Sequence, residues 1–232
     1  MEENNEIKRL KAKFENFVYL VSHDLKTPLR GIENLCEWIV EDIEDGNEEG
    51  VQENLALLQS RVKKMSKMMD VLTEINRVGR LYMDFGKYEI ESDINNFLEG
   101  FELSPNQVLF DLELKELVTY NVLLGKLLHV IVKNAIQHNE TSKLEIKIMN
   151  KVNGDQLEWT IQDNGKGVSE NSLGRLTDVF YTDQPKDTTE SVGGGLALAK
   201  EICEFVDSNL EISNNNGLMV RFNWPLNLKK DD

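Results

Sequence analysis

The residues with most chemistry to offer stand in four short runs: SHDLKTPLRG at Ser22–Gly31, VKNAIQH at Val132–His138, DNGKG at Asp163–Gly167 and GGGLALAK at Gly193–Lys200. In the first, His23 has Asp24 beside it and Thr27 one helical turn later. Residues four apart on a helix share a face. Neutral imidazole is a good nucleophile, and a carboxylate near one ring nitrogen orients the ring and raises the basicity of the other. A lone helical histidine is more readily a surface residue without chemistry, because short motifs specify sites loosely. Pro28 tips the balance. Inside a helix it removes the hydrogen bond to the carbonyl of Asp24, at a cost of roughly 3 kcal/mol. A kink there is expected, and it is easier to explain by function than by stability.

The other three runs suit a nucleotide pocket. Asn134 interrupts an apolar succession of Leu127, Leu128, Val130, Ile131, Val132, Ala135 and Ile136. Its amide needs a partner, either neighbouring backbone or, through its oxygen, a Mg²⁺ that bridges phosphates. Asp163 follows a strand-like run. A fixed carboxylate accepts from the exocyclic amino group of adenine and repels the carbonyl of guanine. Gly165 and Gly167 permit close backbone approach to a flat ligand, although a plain turn uses the same residues. Gly193, Gly194 and Gly195 precede an apolar helical run and present unpaired N–H groups to phosphate. A hinge for the preceding loop is the alternative, and it is compatible with the first reading.

Two kinds of element must position these residues. Up to about Arg80 the chain reads as a helical hairpin. A first helix runs from near Glu6 to Glu44, a turn falls at Asp45–Gly50, and a second helix carries Val51, Leu55, Leu58, Val62, Met65, Met69, Leu72, Ile75 and Val78. That stepping approaches a heptad, so a second copy is expected to complete a four-helix bundle. From about Leu81 the texture becomes mixed α/β. Strands are expected at 87–91, 108–114, 143–149, 157–162, 210–213 and 218–224. Helices are expected at 93–101, 121–138, 169–178 and 195–206, packed on one face of a sheet. The fold class is α+β, with one domain over residues 1–80 and a second over 81–232. A polar stretch between Phe180 and Gly193 has no periodicity and reads as a functional loop.

Composition bounds the rest. The chain has 232 residues and a formal net charge of −15. That argues against a nucleic-acid partner, whose phosphate backbone needs clustered Lys and Arg. It leaves ATP open, because one Mg²⁺ and oriented N–H groups hold a triphosphate locally. Cys36 and Cys203 form neither a metal spacing nor a disulfide framework, which fits a reducing cytoplasm. No apolar run approaches the ~20 residues of a membrane helix. Direct membrane contact is therefore not expected of these residues, although a sensor or membrane region could precede them.

The four runs, in this order, resemble the H, N, G1 and G2 boxes of sensor histidine kinases from two-component signalling, with Asp178–Tyr181 similar to a partial F box. The resemblance runs from about Glu6 to Leu226. It implies a dimerisation and histidine-phosphotransfer hairpin followed by a Bergerat-type ATP-binding α/β sandwich. It also implies phosphorylation of His23, with Asp24 as acid/base partner and Thr27 positioning water for dephosphorylation of the regulator. Asn134 would bind Mg²⁺ and Asp163 would read adenine. Gly165, Gly167, Gly193, Gly194, Gly195, Leu196 and Phe180 would shape the pocket. Gln137, His138 and Lys186 stand where polar or cationic pocket groups are looked for. The partner would be the receiver domain of a response regulator, and the chain a homodimer.

Five positions depart from the family's pattern. Val130 replaces a second Asn, Gln137 a basic residue, Thr177 the first F-box phenylalanine, and Ala197 a glycine. Thr182 stands where a base is common, leaving Lys186 as the only cation of the loop. These departures bear on speed more than on fold, since phosphoryl transfer is largely electrostatic positioning. Two rival readings remain: a catalytically weak or inactive scaffold with the same fold, and a Bergerat-fold ATPase of the chaperone or mismatch-repair kind. The second has no use for the His23 run.

Overall fold

Helix α1 (Glu2–Glu44) and helix α2 (Glu48–Arg77) form the hairpin. The computed structural model describes residues 2–103, 107–139, 141, 143–183 and 191–229, and within 2–20 side chains are described only for Glu15 and Val18. The turn between the helices is built by short polar side chains. Gly46 takes φ +71°. The side-chain oxygen of Asn47 accepts from the backbone N–H of Gly50 at 3.1 Å, capping α2. The Asp42 carboxylate accepts from Asn47 at 2.7 Å and from Asn54 at 2.8 Å, so one side chain ties both helices together. A Cβ on Gly50 would stand 2.3 Å from the Asn47 amide, so a larger residue there would push the Asn47 and Asp42 side chains out of this knot.

Leu35, Pro28 and Met68 are buried within the hairpin. Its outer faces are not covered: Val18, Leu29, Trp38, Val40, Ile43, Leu55, Leu57, Val62 and Met69 are all exposed. The helix expected to kink at Pro28 continues as unbroken α-helix to Glu44. A missing N–H costs one hydrogen bond, and burial of the ring offsets part of that cost.

The second part begins with strand β1 (Phe85–Glu89) and helix α3 (Ile90–Leu98), followed by strands β2 (Val108–Leu112) and β3 (Glu116–Tyr120) and helix α4 (Asn121–Gln137). Strands β4 (Ile146–Asn153) and β5 (Gln156–Asp163), the short helix α5 (Glu170–Leu173), helix α6 (Gly195–Phe205) and strands β6 (Leu210–Asn214) and β7 (Leu218–Pro225) complete it. Five strands form one sheet in the order β2-β4-β5-β7-β6, with β2 parallel to β4 and the other neighbours antiparallel. Strands β1 and β3 pair separately.

Along β4 and β5 every second residue is buried, from Ile146 and Ile148 to Trp159, Ile161 and Asp163, so one sheet face is covered. Helix α4 meets that core with Leu124, Leu127, Leu128, Ile131 and Val132, and α6 with Leu198, Ala199, Ile202 and Cys203. Spacings of three and four place each set on one helical stripe.

Four expectations need correcting. Strand β3 was not expected at all, and its Thr119 hydroxyl accepts from the Trp224 indole N–H at 2.8 Å. Strand β1 and α3 lie two to three residues earlier than expected, because α3 starts at Ile90 without a side-chain cap. Strand β4 begins three residues later than expected. The helix expected over 169–178 is a single turn, stopped at Gly174. The described residues fall into two compact units, Met1–Asp70 with Thr188–Val192, and Val71–Asp187 with Gly193–Asp232.

Candidate active site

Within the hairpin, α1 carries His23, Asp24 and Thr27. The His23 side chain is 68% exposed, and its Nδ1 lies 3.3 Å from the Asp24 carboxylate. A proton held on Nδ1 by that carboxylate leaves the lone pair on Nε2, the nitrogen able to attack an electrophile. Thr27, one turn along, is exposed as well.

In the second unit, Asp163 ends β5 and is buried. Its Oδ1 accepts from the N–H of Gly165 at 2.7 Å and of Leu218 at 3.2 Å. Both bonds fall on one oxygen, so Oδ2 has no hydrogen-bond partner among the described residues. Glycine is required around this carboxylate. A Cβ on Gly165 would stand 2.8 Å from Oδ1, and a Cβ on Gly217 would stand 2.0 Å from the backbone oxygen of Asp163. Gly167, at φ +67°, lies under Asn214. The Asn214 amide accepts from the N–H of Val168 at 3.1 Å and donates to its carbonyl at 2.7 Å. The β6–β7 turn therefore holds the loop after β5.

The end of α4 is fastened to the same place. Asn164 accepts from the Asn139 amide at 2.9 Å and from the Glu145 N–H at 2.9 Å, and it donates to the Lys143 carbonyl at 2.7 Å. This brings His138, the residue closing α4, into the field of Asp163 and Lys166. Burial pushes the His138 imidazole below its ordinary pKa, with Asp163 opposing that shift and Lys166 adding to it. Asn134 lies one turn earlier on α4 and is half-buried. Gln137 is exposed at the helix end.

The glycine run is gripped from several sides. Gly193 has φ +66°, and a Cβ there would stand 2.0 Å from the Tyr181 carbonyl oxygen. The Phe180 N–H donates to the Gly193 carbonyl at 2.7 Å. Phe180 itself is buried and held at φ +66°, a conformation costly for a bulky residue. Gly195 opens α6, and a Cβ there would stand 3.3 Å from Val130. Leu196, next along, is buried. Nearby, the buried Ser172 hydroxyl accepts from Tyr181 at 3.0 Å and donates to Asp183. Lys186 lies outside the described residues.

Asp163, Gly165, Gly167 and His138 thus come together, and Phe180, Gly193, Gly194, Gly195 and Leu196 form a second group beside α4. Four contributors escaped the sequence reading: Asn139, Asn164, Asn214 and Gly217. The Asn216–Gly217 pair signals a hairpin turn, but not that the turn abuts Asp163.

Two family models match in tandem. Residues 15–80 match the His Kinase A phospho-acceptor domain, and residues 120–228 match the histidine kinase-, DNA gyrase B- and HSP90-like ATPase. The chain belongs to the sensor histidine kinases. This transmitter is 25% identical over 222 residues to sensor histidine kinase YvrG of Bacillus subtilis, covering 90% of this chain and 38% of that protein. It is 26% identical over 208 residues to cyanobacterial phytochrome B of Nostoc, covering 87% of this chain and 28% of that protein. The chain therefore spans well under half the length of these relatives. Its fold matches that of the Acinetobacter baumannii histidine kinase AdeS, with a TM-score of 0.58, 18% identity and coverage of 89% of this chain and 98% of that one. It also matches histidine kinase ThkA, solved in complex with the response regulator protein TrrA, with a TM-score of 0.62, 15% identity and coverage of 91% and 61%. No described helix of this transmitter is long and apolar enough to cross a membrane.

Proposed function

We infer that this transmitter moves the γ-phosphoryl group of ATP onto Nε2 of His23 and then onto an aspartate in the receiver domain of a response regulator. The observation that carries the reading is the His23–Asp24 pair, an exposed imidazole with Nδ1 against a carboxylate. In the first step the Nε2 lone pair forms a bond to the γ-phosphorus, the bond from phosphorus to the bridging oxygen breaks, and ADP leaves. Asp24 stabilises the positive charge that grows on the ring and takes up the Nδ1 proton as phosphohistidine forms. In the second step the regulator's carboxylate takes the phosphoryl group and the P–N bond breaks. The ThkA–TrrA complex supports a regulator as partner.

On the nucleotide, Oδ2 of Asp163 accepts from the adenine amino group, and the glycines around it let the base approach. The backbone N–H groups at the start of α6 face the phosphates. No described group of three His, Cys, Asp or Glu side chains could hold a metal by itself. Mg²⁺ keeps few protein ligands and relies on phosphate oxygens and water. Asn134 would supply the protein oxygen, and the bound ion would draw charge off the phosphates.

Thr27 shares the His23 face, so it is placed to orient water for dephosphorylation of the regulator. The exposed Leu55, Val62 and Met69 recur every seven residues on α2, and a second copy of the hairpin would cover them in a four-helix bundle. The cytoplasm is the compartment where ATP and a regulator are both at hand. The test is phosphorus NMR of the chain labelled with ATP. The expected signal is phosphohistidine substituted on Nε2; substitution on Nδ1, or on an aspartate, would contradict the Asp24 role.

A further inference from the structure

The last two turns of α2 lie in the same compact unit as the glycine run. Val71 is the first contact. A Cβ on Gly194 would stand 2.5 Å from Val71 Cγ1, so the backbone of Gly194 rests directly on that side chain. Three residues on, Glu74 is about three-quarters buried and collects donors. Arg77 donates to its Oε1 at 2.7 Å, and the Tyr82 hydroxyl donates to its Oε2 at 2.8 Å. Lys126 of α4 donates to the same Oε2 and to the Tyr82 oxygen, the latter at 2.8 Å, and its ammonium sits 4.4 Å from the centre of the Tyr82 ring. Ile75 and Val78 pack on the core.

Lys126, Val130 and Asn134 follow one another at four-residue steps, so they share one face of α4. Val130 lies against Gly195, and Val71 lies against Gly194. The glycine run therefore touches both α2 and α4, and the Glu74–Lys126–Tyr82 cluster ties those two helices together beside it. Breaking that cluster would strand a half-buried ammonium without its counter-charge and free the end of α2.

We propose that the C-terminal turns of α2 set the nucleotide affinity of the glycine run, with Val71, Glu74 and Lys126 acting as positioning residues. The proposal rests on the nucleotide reading of Gly193–Gly195. Coupling of this kind is reciprocal: whatever the α2 end does for the nucleotide, the nucleotide does for the α2 end.

The experiment uses the full chain with Mg·ADP as probe. Binding is measured by calorimetry for the wild type, Val71→Ala, Val71→Ile, Glu74→Gln and Lys126→Met. Amide exchange across 74–82 is followed in the wild type with and without ADP. Val71→Ala and Glu74→Gln are expected to weaken ADP by about fivefold or more. Val71→Ile should bind like the wild type, and Lys126→Met added to Glu74→Gln should cost little further, because both open one cluster. Exchange across 74–82 should slow when ADP is bound. A wild type that binds ADP while the variants bind equally, or while exchange at 74–82 is unmoved, overturns the proposal. A wild type that binds no Mg·ADP overturns the nucleotide reading itself. The exchange arm needs no variant, so an unfolded mutant cannot decide the matter.

Discussion

At the residue scale, the glycines separate by what a side chain would meet. Gly217 and Gly154 both have positive φ, at +137° and +64°, but a Cβ at Gly217 would strike the backbone of Asp163, whereas one at Gly154 meets nothing within 4 Å. Gly154→Ala should therefore cost only backbone strain, about 1 kcal/mol of stability. Gly217→Ala should cost clearly more and also displace Asp163, so ADP affinity should fall with it. Chemical denaturation and calorimetry on the two variants separate these effects. His138 gives a pH-dependent expectation. Burial holds its folded pKa below the unfolded value, so on acidification the unfolded chain takes up a proton before the folded chain does. Stability from this group is whole above the ordinary imidazole range of about 6.5 and falls as pH drops below it. A melting series from pH 8 to about pH 5 should show less acid loss in His138→Phe than in the wild type.

At the element scale, long periodic segments were legible and junctions were not. The stripes of α2, α4 and α6 follow from apolar spacing, and the start of α4 at Asn121 was read correctly. Strand β3 was missed for two local reasons. Its outward Val118 is 60% exposed and spoils the alternation, and it runs into α4 with no side-chain cap to mark the border. The helix read over 169–178 failed because Gly174 ends it, and the local pattern gave that glycine too little weight. The candidate site divides the same way. Asp163 and the glycine runs announced themselves, whereas Asn139, Asn164 and Asn214 work through contacts 19 to 46 residues away in sequence. No local pattern carries that information. On the hairpin, Leu55→Glu or Val62→Glu places a charge on a face exposed in the single chain, so the hairpin itself should survive. Sedimentation should nevertheless find monomers, because the charge would be buried unpaired against a second copy. A dimer that tolerates both charges would place the interface elsewhere.

At the scale of the whole molecule, the two compact units lead us to expect two unfolding steps rather than one. The hairpin step should rise with protein concentration if a second copy completes it. The α/β step should instead respond to nucleotide, gaining about 2.7 kcal/mol at a hundredfold excess over Kd. Val130 bears on speed. It packs against Gly195 with an apolar side chain where a polar one is usual in the family, so labelling should be slow. Gln137→Lys or Gln137→Arg should accelerate it by restoring a cation near Asn134, and an initial-rate comparison at saturating Mg·ATP checks this.

The central claim is that His23 accepts the phosphoryl group and Asp163 anchors the nucleotide that supplies it. The measurement that tests it most directly is labelling with γ-labelled ATP, read after acid and after alkali, on the wild type, His23→Gln and Asp163→Asn, with ADP binding measured on the same three proteins. The wild type should carry an acid-labile, alkali-stable label. His23→Gln should bind ADP normally and carry no label, and Asp163→Asn should lose both ADP and label. Label that survives His23→Gln, or phosphate released from ATP without any labelled protein, would contradict it.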